Sequence, residues 1–322
     1  MLLEETDRRL IDGWQRDFPI TPTPFAEISA ALDITESDVL ARLSRLSRSG
    51  ALSRVGAVVR PNTVGASTLA AISVPTERIE SAAAAIVEEP GVNHAYEREH
   101  AYNLWFVVTA PDAAGVAAAI ARIEHRVGAQ ALVLPMLRDF HIDLGFRLFD
   151  AAPEPRRRRS LEAVAVDDDD RRLLCEIENG LDLVAHPFQG VAVRLGWSEA
   201  EVCARLTALI DSGVVVRFGL VVRHRHFGYS ANAMVVWDIP DSRLEETARA
   251  FAQRDCVTLC YERPRVDGVW RYNLFTMIHG RERSAALAQI EDMSLSAPAA
   301  RDLAVLFSRR CFRQCGARLS AA

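Results

Sequence analysis

The sequence predicts an α+β chain made of two homologous halves, each a helix-turn-helix domain of winged-helix kind followed by a ferredoxin-like βαββαβ domain. Three observations carry this. LARLSRLSRSGALSRVGAVVRPNTVG (40–65) runs in register with CARLTALIDSGVVVRFGLVVRHRHFG (203–228), so that Gly50, Gly56, Arg60 and Gly65 meet Gly213, Gly219, Arg223 and Gly228 at a constant offset of 163 residues. Later, VNHAYER (92–98) returns as VTLCYER (257–263), and YNLW (102–105) returns as YNLF (272–275). Finally, each half opens with helical periodicity and changes to strand-like runs, and such long-period self-similarity marks a duplicated unit.

In the first half, Leu10, Ile11 and Trp14 form one apolar helix face, Phe25, Ile28 and Leu32 a second, and Val39, Leu43 and Leu46 a third. Thr35 is placed to cap the third helix and Gly50 to stop it. The second half repeats the scheme with Leu173, Leu174 and Ile177, then Val193, then Val202, Leu206 and Leu209, capped by Ser198 and stopped by Gly213. The β-rich runs ALSRVGAVVR and VVVRFGLVVR follow. Next come the strands TLAAISV, AYER, YNLWFVV and ALVLPML in half one, and NAMVVWD, TLCYER, YNLFTMI and LAVLFS in half two, with helices between them. That order implies a sheet with its helices on one face. The boundaries are helix-turn-helix domains at 1–60 and 167–223, ferredoxin-like domains at 61–150 and 224–322, and a linker at 151–166. Around the linker, APEPRRRRSLEAVAVDDDD combines prolines with opposed charge blocks.

With 322 residues, 49% of them apolar and 25% charged, the chain is long enough for two domains of ordinary size, each with its own core. No run approaches the roughly 18 apolar residues of a membrane helix. MLLEETDRR lacks the basic-then-apolar order of a signal peptide, so the expected location is the cytoplasm. A net charge of −5 gives no global pull toward nucleic acid. Six cysteines fit a reducing compartment. Cys256 and Cys260 share a CxxxC spacing with Cys311 and Cys315, but i and i+4 on a strand lie too far apart to chelate one ion easily, so no metal site is expected.

At the level of fold, both halves resemble the Lrp/AsnC regulators. The phrases REHAYNLWF, GLVVRHRHFGYSANAMVVW, CYERP and LFSRRCFRQCGARL resemble more closely the siroheme decarboxylases, with Cys311 and Cys315 as departures from more polar or basic family positions. That resemblance implies removal of carbon dioxide from two acetate arms of siroheme to give didecarboxysiroheme, in the route to heme d1. It implies no organic cofactor, because the iron tetrapyrrole is itself the substrate. The implied partners are siroheme and a second copy of the fused chain, with other tetrapyrrole-pathway proteins as further candidates, and neither specific DNA nor membrane.

A substrate edged with carboxylates calls for guanidinium forks. Arg60, Arg98, Arg223, Arg225 and Arg263 stand near predicted strand ends and are the candidates, together with the repeated Tyr102, Asn103, Tyr272 and Asn273. Taken singly, Arg98 and Arg263 read as solvated charges. Decarboxylation leaves negative charge that a proton must quench, and histidine titrates nearest neutrality. His94, His125, His141, His186 and His279 have no second supporting signal. His226 alternates to the face opposite Arg225 and reads as a bystander. His100 and His224 remain as catalytic candidates. In the other half their equivalents are Trp270 and Pro61, so the sequence reads as one composite site keeping both histidines while its counterpart decayed.

A second class stays open: a ligand-responsive, possibly heme-sensing, transcription regulator. Arg42, Arg45 and Arg48 would form its phosphate-facing row, although the matching helix EAEVCARLTALIDSG has Arg205 as its only cation.

Overall fold

The structure is a computed structural model that describes residues 3–142, 145, 148–149 and 166–316. Half one runs α1 (Glu5–Gly13), α2 (Pro24–Leu32), α3 (Glu36–Arg48), β1 (Leu52–Val59), β2 (Ala66–Ile72), α4 (Ile79–Val87) and β3 (Val92–Arg98). It continues through β4 (Leu104–Ala110), α5 (Ala113–Val127), β5 (Ala131–Pro135) and β6 (Arg138–Ile142). Half two runs α6 (Asp168–Glu176), α7 (Pro187–Leu195), α8 (Glu199–Asp211), β7 (Val215–Val222) and β8 (Ala231–Asp238). It ends with α9 (Asp241–Ala252), β9 (Val257–Glu262), β10 (Leu274–Gly280), α10 (Arg283–Leu295) and β11 (Asp302–Gln314). The chain gathers into two compact units, Met1–Val64 with Gly145–Phe227, and Gly65–Leu144 with Gly228–Ala322. The like parts of the two halves thus join each other rather than their own chain neighbours.

In the first unit each helix triplet packs the apolar faces its sequence provides, and fully burying one such Leu, Ile or Phe stabilises by roughly 1.5–3 kcal/mol. Thr35 caps α3 in a box with Asp38, Ser198 accepts the Glu201 N–H at the start of α8, and Gly50 and Gly213 take left-handed φ values of 77° and 78° where those helices end. Val193 does not join its helix face. It is 75% exposed, and Phe188, Val191, Ala192 and Leu195 carry the buried side of α7. A single marker residue could not set the phase of that helix.

β1 and β7 pair antiparallel with Gly56 opposite Gly219. The Arg60 N–H donates to Val214 O and the Arg223 N–H to Ala51 O, both at 2.8 Å, so the sequence offset becomes a local two-fold. The same symmetry appears in charge. Fully buried Asp7 accepts from Arg42 (2.8 Å) and Arg45 (2.6 Å), and Asp170 accepts from Arg205 (2.8 Å).

The second unit is one antiparallel nine-stranded sheet in the order β5-β2-β4-β3-β11-β8-β10-β9-β6. Each half supplies the expected ferredoxin-like order, and each then sends a strand across: β6 pairs with β9, and the end of β11 pairs with β3. β6 is not evident from ALVLPML. Proline has no N–H for the ladder, and Pro135 ends a strand that the second half continues unbroken through Phe307. Arg138 on β6 grips Glu262, and Arg310 on β11 grips Glu97, each at 2.6 Å.

One sheet face is covered by helices, with Leu104, Phe106 and Val108 against α4 and α5, and Val235, Trp237 and Leu274 against α9 and α10. Alternation along the strands sends Leu69, Trp105, Leu134, Met234, Phe275 and Leu306 to the other face, where they form a third core. Among the described residues no helix is long and apolar enough to cross a membrane.

Candidate active site

The third core is closed at its edge by the two loops that carry the Tyr-Asn-Leu repeat. In half one the turn 99–103 joins β3 to β4, and the Arg98 N–H closes it on Asn103 O at 2.9 Å. Inside the turn the Tyr102 N–H donates to Nδ1 of His100 (3.0 Å), and the two rings stack 6.2 Å apart at 12°. A nitrogen that accepts carries no proton, so the neutral imidazole of His100 holds its proton on Nε2. Burial pushes the imidazole below its ordinary pKa, which keeps it neutral near pH 7. Nε2–H has no acceptor among the described residues. The adjacent Glu99 is turned away, held by Arg283 at 3.0 and 2.8 Å, and that guanidinium keeps its carboxyl below the usual range.

In half two the equivalent loop is longer, and its insertion closes between Val266 and Trp270, with Gly268 at φ 71°. Trp270, expected in the decayed counterpart, stands against His100 itself: the ring centroids are 5.5 Å apart at 75°. It also meets Trp105 (5.4 Å) and Tyr272 (5.0 Å) edge to face. Sequence equivalence pairs positions 100 and 270, but it does not say that the extra loop residues fold the indole back onto its counterpart.

The two asparagines are braces. Asn103 accepts the Val74 N–H (3.1 Å) and donates to Val74 O (2.8 Å); Asn273 does the same to Ile239, at 2.9 and 3.0 Å. Both ends of each amide are therefore committed to main chain. Tyr272 donates its hydroxyl to Asp302 (3.0 Å), and burial, reinforced by that carboxylate, holds the phenol above its usual pKa. The Tyr102 hydroxyl has no protein partner among the described residues.

Arg98 and Arg263 are not solvated charges. They are 7% and 8% exposed. Arg98 donates to Leu306 O (3.1 Å) and lies over the Tyr96 ring. Arg263 follows β9 yet reaches Leu134 O on β5, at the far end of the strand order, so the sheet ends curl toward each other over the third core. Its guanidinium lies between Tyr261 and Phe275, meets no carboxylate among the described residues, and is pushed down to about 10 by burial.

The other candidates belong to the first unit. Arg60 and Arg223 directly follow β1 and β7, and Arg223 donates to Gly50 O at 3.2 Å. His224 is buried and begins a 3-10 turn, His224–Phe227, that also holds Arg225 and exposed His226. Strand alternation therefore does not apply to Arg225 and His226; the turn alone sets their directions. Of the remaining histidines, His94 bonds Asn93 (2.7 Å) and His279 bonds Thr258 (2.9 Å). Among the described residues no three His, Cys, Asp or Glu side chains gather as a metal site.

Comparison with known proteins extends these observations to the whole chain. Residues 7–52 and 170–215 match the siroheme decarboxylase NirDL-like HTH domain, and residues 64–141 and 226–313 match the AsnC-like ligand binding domain. The siroheme decarboxylase NirDL subunit of Paracoccus denitrificans is 44% identical over 326 residues, 99% of each chain. The chain belongs to the siroheme decarboxylase family. A crystal structure of a siroheme decarboxylase NirDL, 28% identical, covers 98% of this chain and 94% of its own with a TM-score of 0.69. Another, of NirDL in co-complex with an iron-uroporphyrin III analogue, gives 0.67. Membership in this family sets the chemistry against which the His100 loop, the aromatic wall and the buried guanidiniums are read.

Proposed function

We propose that this protein is a carboxy-lyase that removes carbon dioxide from two acetate arms of siroheme, giving didecarboxysiroheme on the way to heme d1. The observation that carries this reading is the likeness to a NirDL siroheme decarboxylase along the whole of both chains. The chemistry is non-oxidative. The bond between the arm's methylene and its carboxylate breaks, its electron pair passes into the macrocycle, and a proton arrives at the methylene to leave a methyl group and carbon dioxide. A proton is the only co-reactant, so no organic cofactor is proposed.

His100 is assigned to the reacting arm. In its neutral state it donates from Nε2–H to a carboxylate; delivering that proton requires Nδ1 to take one up and release the Tyr102 N–H, and anionic arms favour that uptake. His224 is assigned to the same reaction. Tyr102, Arg98, Arg263, Arg60, Arg223 and Arg225 are assigned to the carboxylates, and Arg263 supports this best because a buried charge without a carboxylate partner is compensated by an anionic ligand. Tyr272, Asn103 and Asn273 act one step away, by holding the loops. Anaerobic protein supplied with siroheme and nothing else should release two molecules of carbon dioxide per tetrapyrrole. Release that needs an added organic cofactor would contradict the scheme.

The regulator reading is weakened, because two of the three arginines in its phosphate row, Arg42 and Arg45, pair with Asp7. Gel-shift or anisotropy assays at physiological salt should show only weak, salt-sensitive and non-selective DNA binding; a specificity ratio of about 10³ or more would favour the regulator. The tetra-arginine segment Arg156 to Arg159 lies outside the described residues. A cytoplasmic homodimer of the fused chain is the proposed state, and sedimentation giving a monomer would remove that part.

A further inference from the structure

Three tryptophans of the sheet unit are buried, and two have partners for their indole N–H: Trp105 donates to Tyr102 O (2.7 Å) and Trp237 to Thr276 Oγ1 (3.0 Å). Trp270, 3% exposed, is the exception, with Nε1 shut from solvent and no acceptor among the described residues. An unmet buried donor forfeits its hydration without return, so such a group needs an explanation. Its surroundings supply one. The indole packs against the His100 ring, whose Nε2–H also has no acceptor among the described residues. The two rings meet edge to face with centroids 5.5 Å apart, and a pair of N–H donors on adjoining rings is complemented by an acceptor-only partner with two oxygens, which is a carboxylate. Glu99 cannot serve, being bound to Arg283.

We propose that the Trp270 N–H is a substrate-binding donor that joins His100 Nε2–H in holding one carboxylate arm of the tetrapyrrole. The proposal rests on the siroheme reading above and adds to it a residue supplied by the opposite half of the duplication. It also gives the insertion in half two a purpose. Main-chain bonds from Val266 to Trp270 (2.8 Å) and back (2.7 Å) fix the hairpin that presents the indole to His100.

Trp270→Phe keeps a ring in the wall and removes only the donor. Titrated with iron uroporphyrin and followed at the Soret band, the variant should bind about tenfold more weakly or worse, the usual loss for a hydrogen bond to a charged group. Its thermal midpoint without ligand should not fall, because the deleted N–H bonds nothing in the free protein. Unchanged affinity with a lowered midpoint would overturn the proposal and assign the N–H to a neighbouring aromatic face. Should the variant not fold, Raman spectra of the parent protein decide. The marker of a non-bonded indole N–H should be present in the free protein and disappear on adding zinc uroporphyrin; its persistence in the saturated complex would overturn the proposal. If the parent protein bound neither porphyrin, the siroheme reading itself would fall, and the Trp270 proposal with it.

Discussion

Replacing His100 or His224 by alanine is expected to lower siroheme turnover by about 10²- to 10⁴-fold, the range for losing a positioned proton-transfer group, while the fold and much of the ring binding persist. Anaerobic single-turnover rates, with circular dichroism as the control for folding, measure it. Near-parental rates in both variants would return the two histidines to structural roles. His100 also leaves a stability signature. Its folded-state pKa is depressed, so the neutral form is favoured in the native protein, and stability falls as pH drops below the ordinary imidazole value toward the folded one. That acid-side loss should be smaller in His100→Ala.

Asn273→Ala is expected to cost about 2–6 kcal/mol, because the substitution strands two buried main-chain groups of Ile239, at roughly 1–3 kcal/mol each. Urea unfolding reads the loss. Turnover per folded molecule should change little, and Asn103→Ala should cost less because Asn103 is only half-buried. Intact stability with collapsed substrate affinity would instead place Asn273 on the substrate.

The repeat made the architecture legible before any coordinates. A constant offset through four glycine and arginine positions demanded duplication, and periodicity assigned the helices and most strands. β6 was hidden because strand exchange between halves is a tertiary event, and Pro135 masks its start. The strand alternation expected at His226 does not apply, because RHRHF folds as a 3-10 turn directly after a strand and a period of two has no meaning there. Asymmetry between the halves singles out His100, whereas symmetry alone does not separate a repeated ligand from a repeated brace, and both asparagine amides bond main chain. The burial of Arg263 follows from its reach across to β5, and that of Arg98 from its bond to the neighbouring β11, tertiary contacts that no local pattern encodes. Arg42 and Arg45 look like a nucleic-acid row until fully buried Asp7 is seen beneath them. Trp270 was found by equivalence and misplaced by it, since the loop insertion decides where the ring lands.

Decarboxylation of siroheme by this chain shows in the mass of the tetrapyrrole recovered after anaerobic incubation with the purified protein. The product should be lighter by two carboxyl groups, each replaced by hydrogen, with the iron and the macrocycle intact. Siroheme recovered at its original mass, from protein shown to be folded and to have bound it, would rule out the decarboxylase and leave a tetrapyrrole sensor in its place.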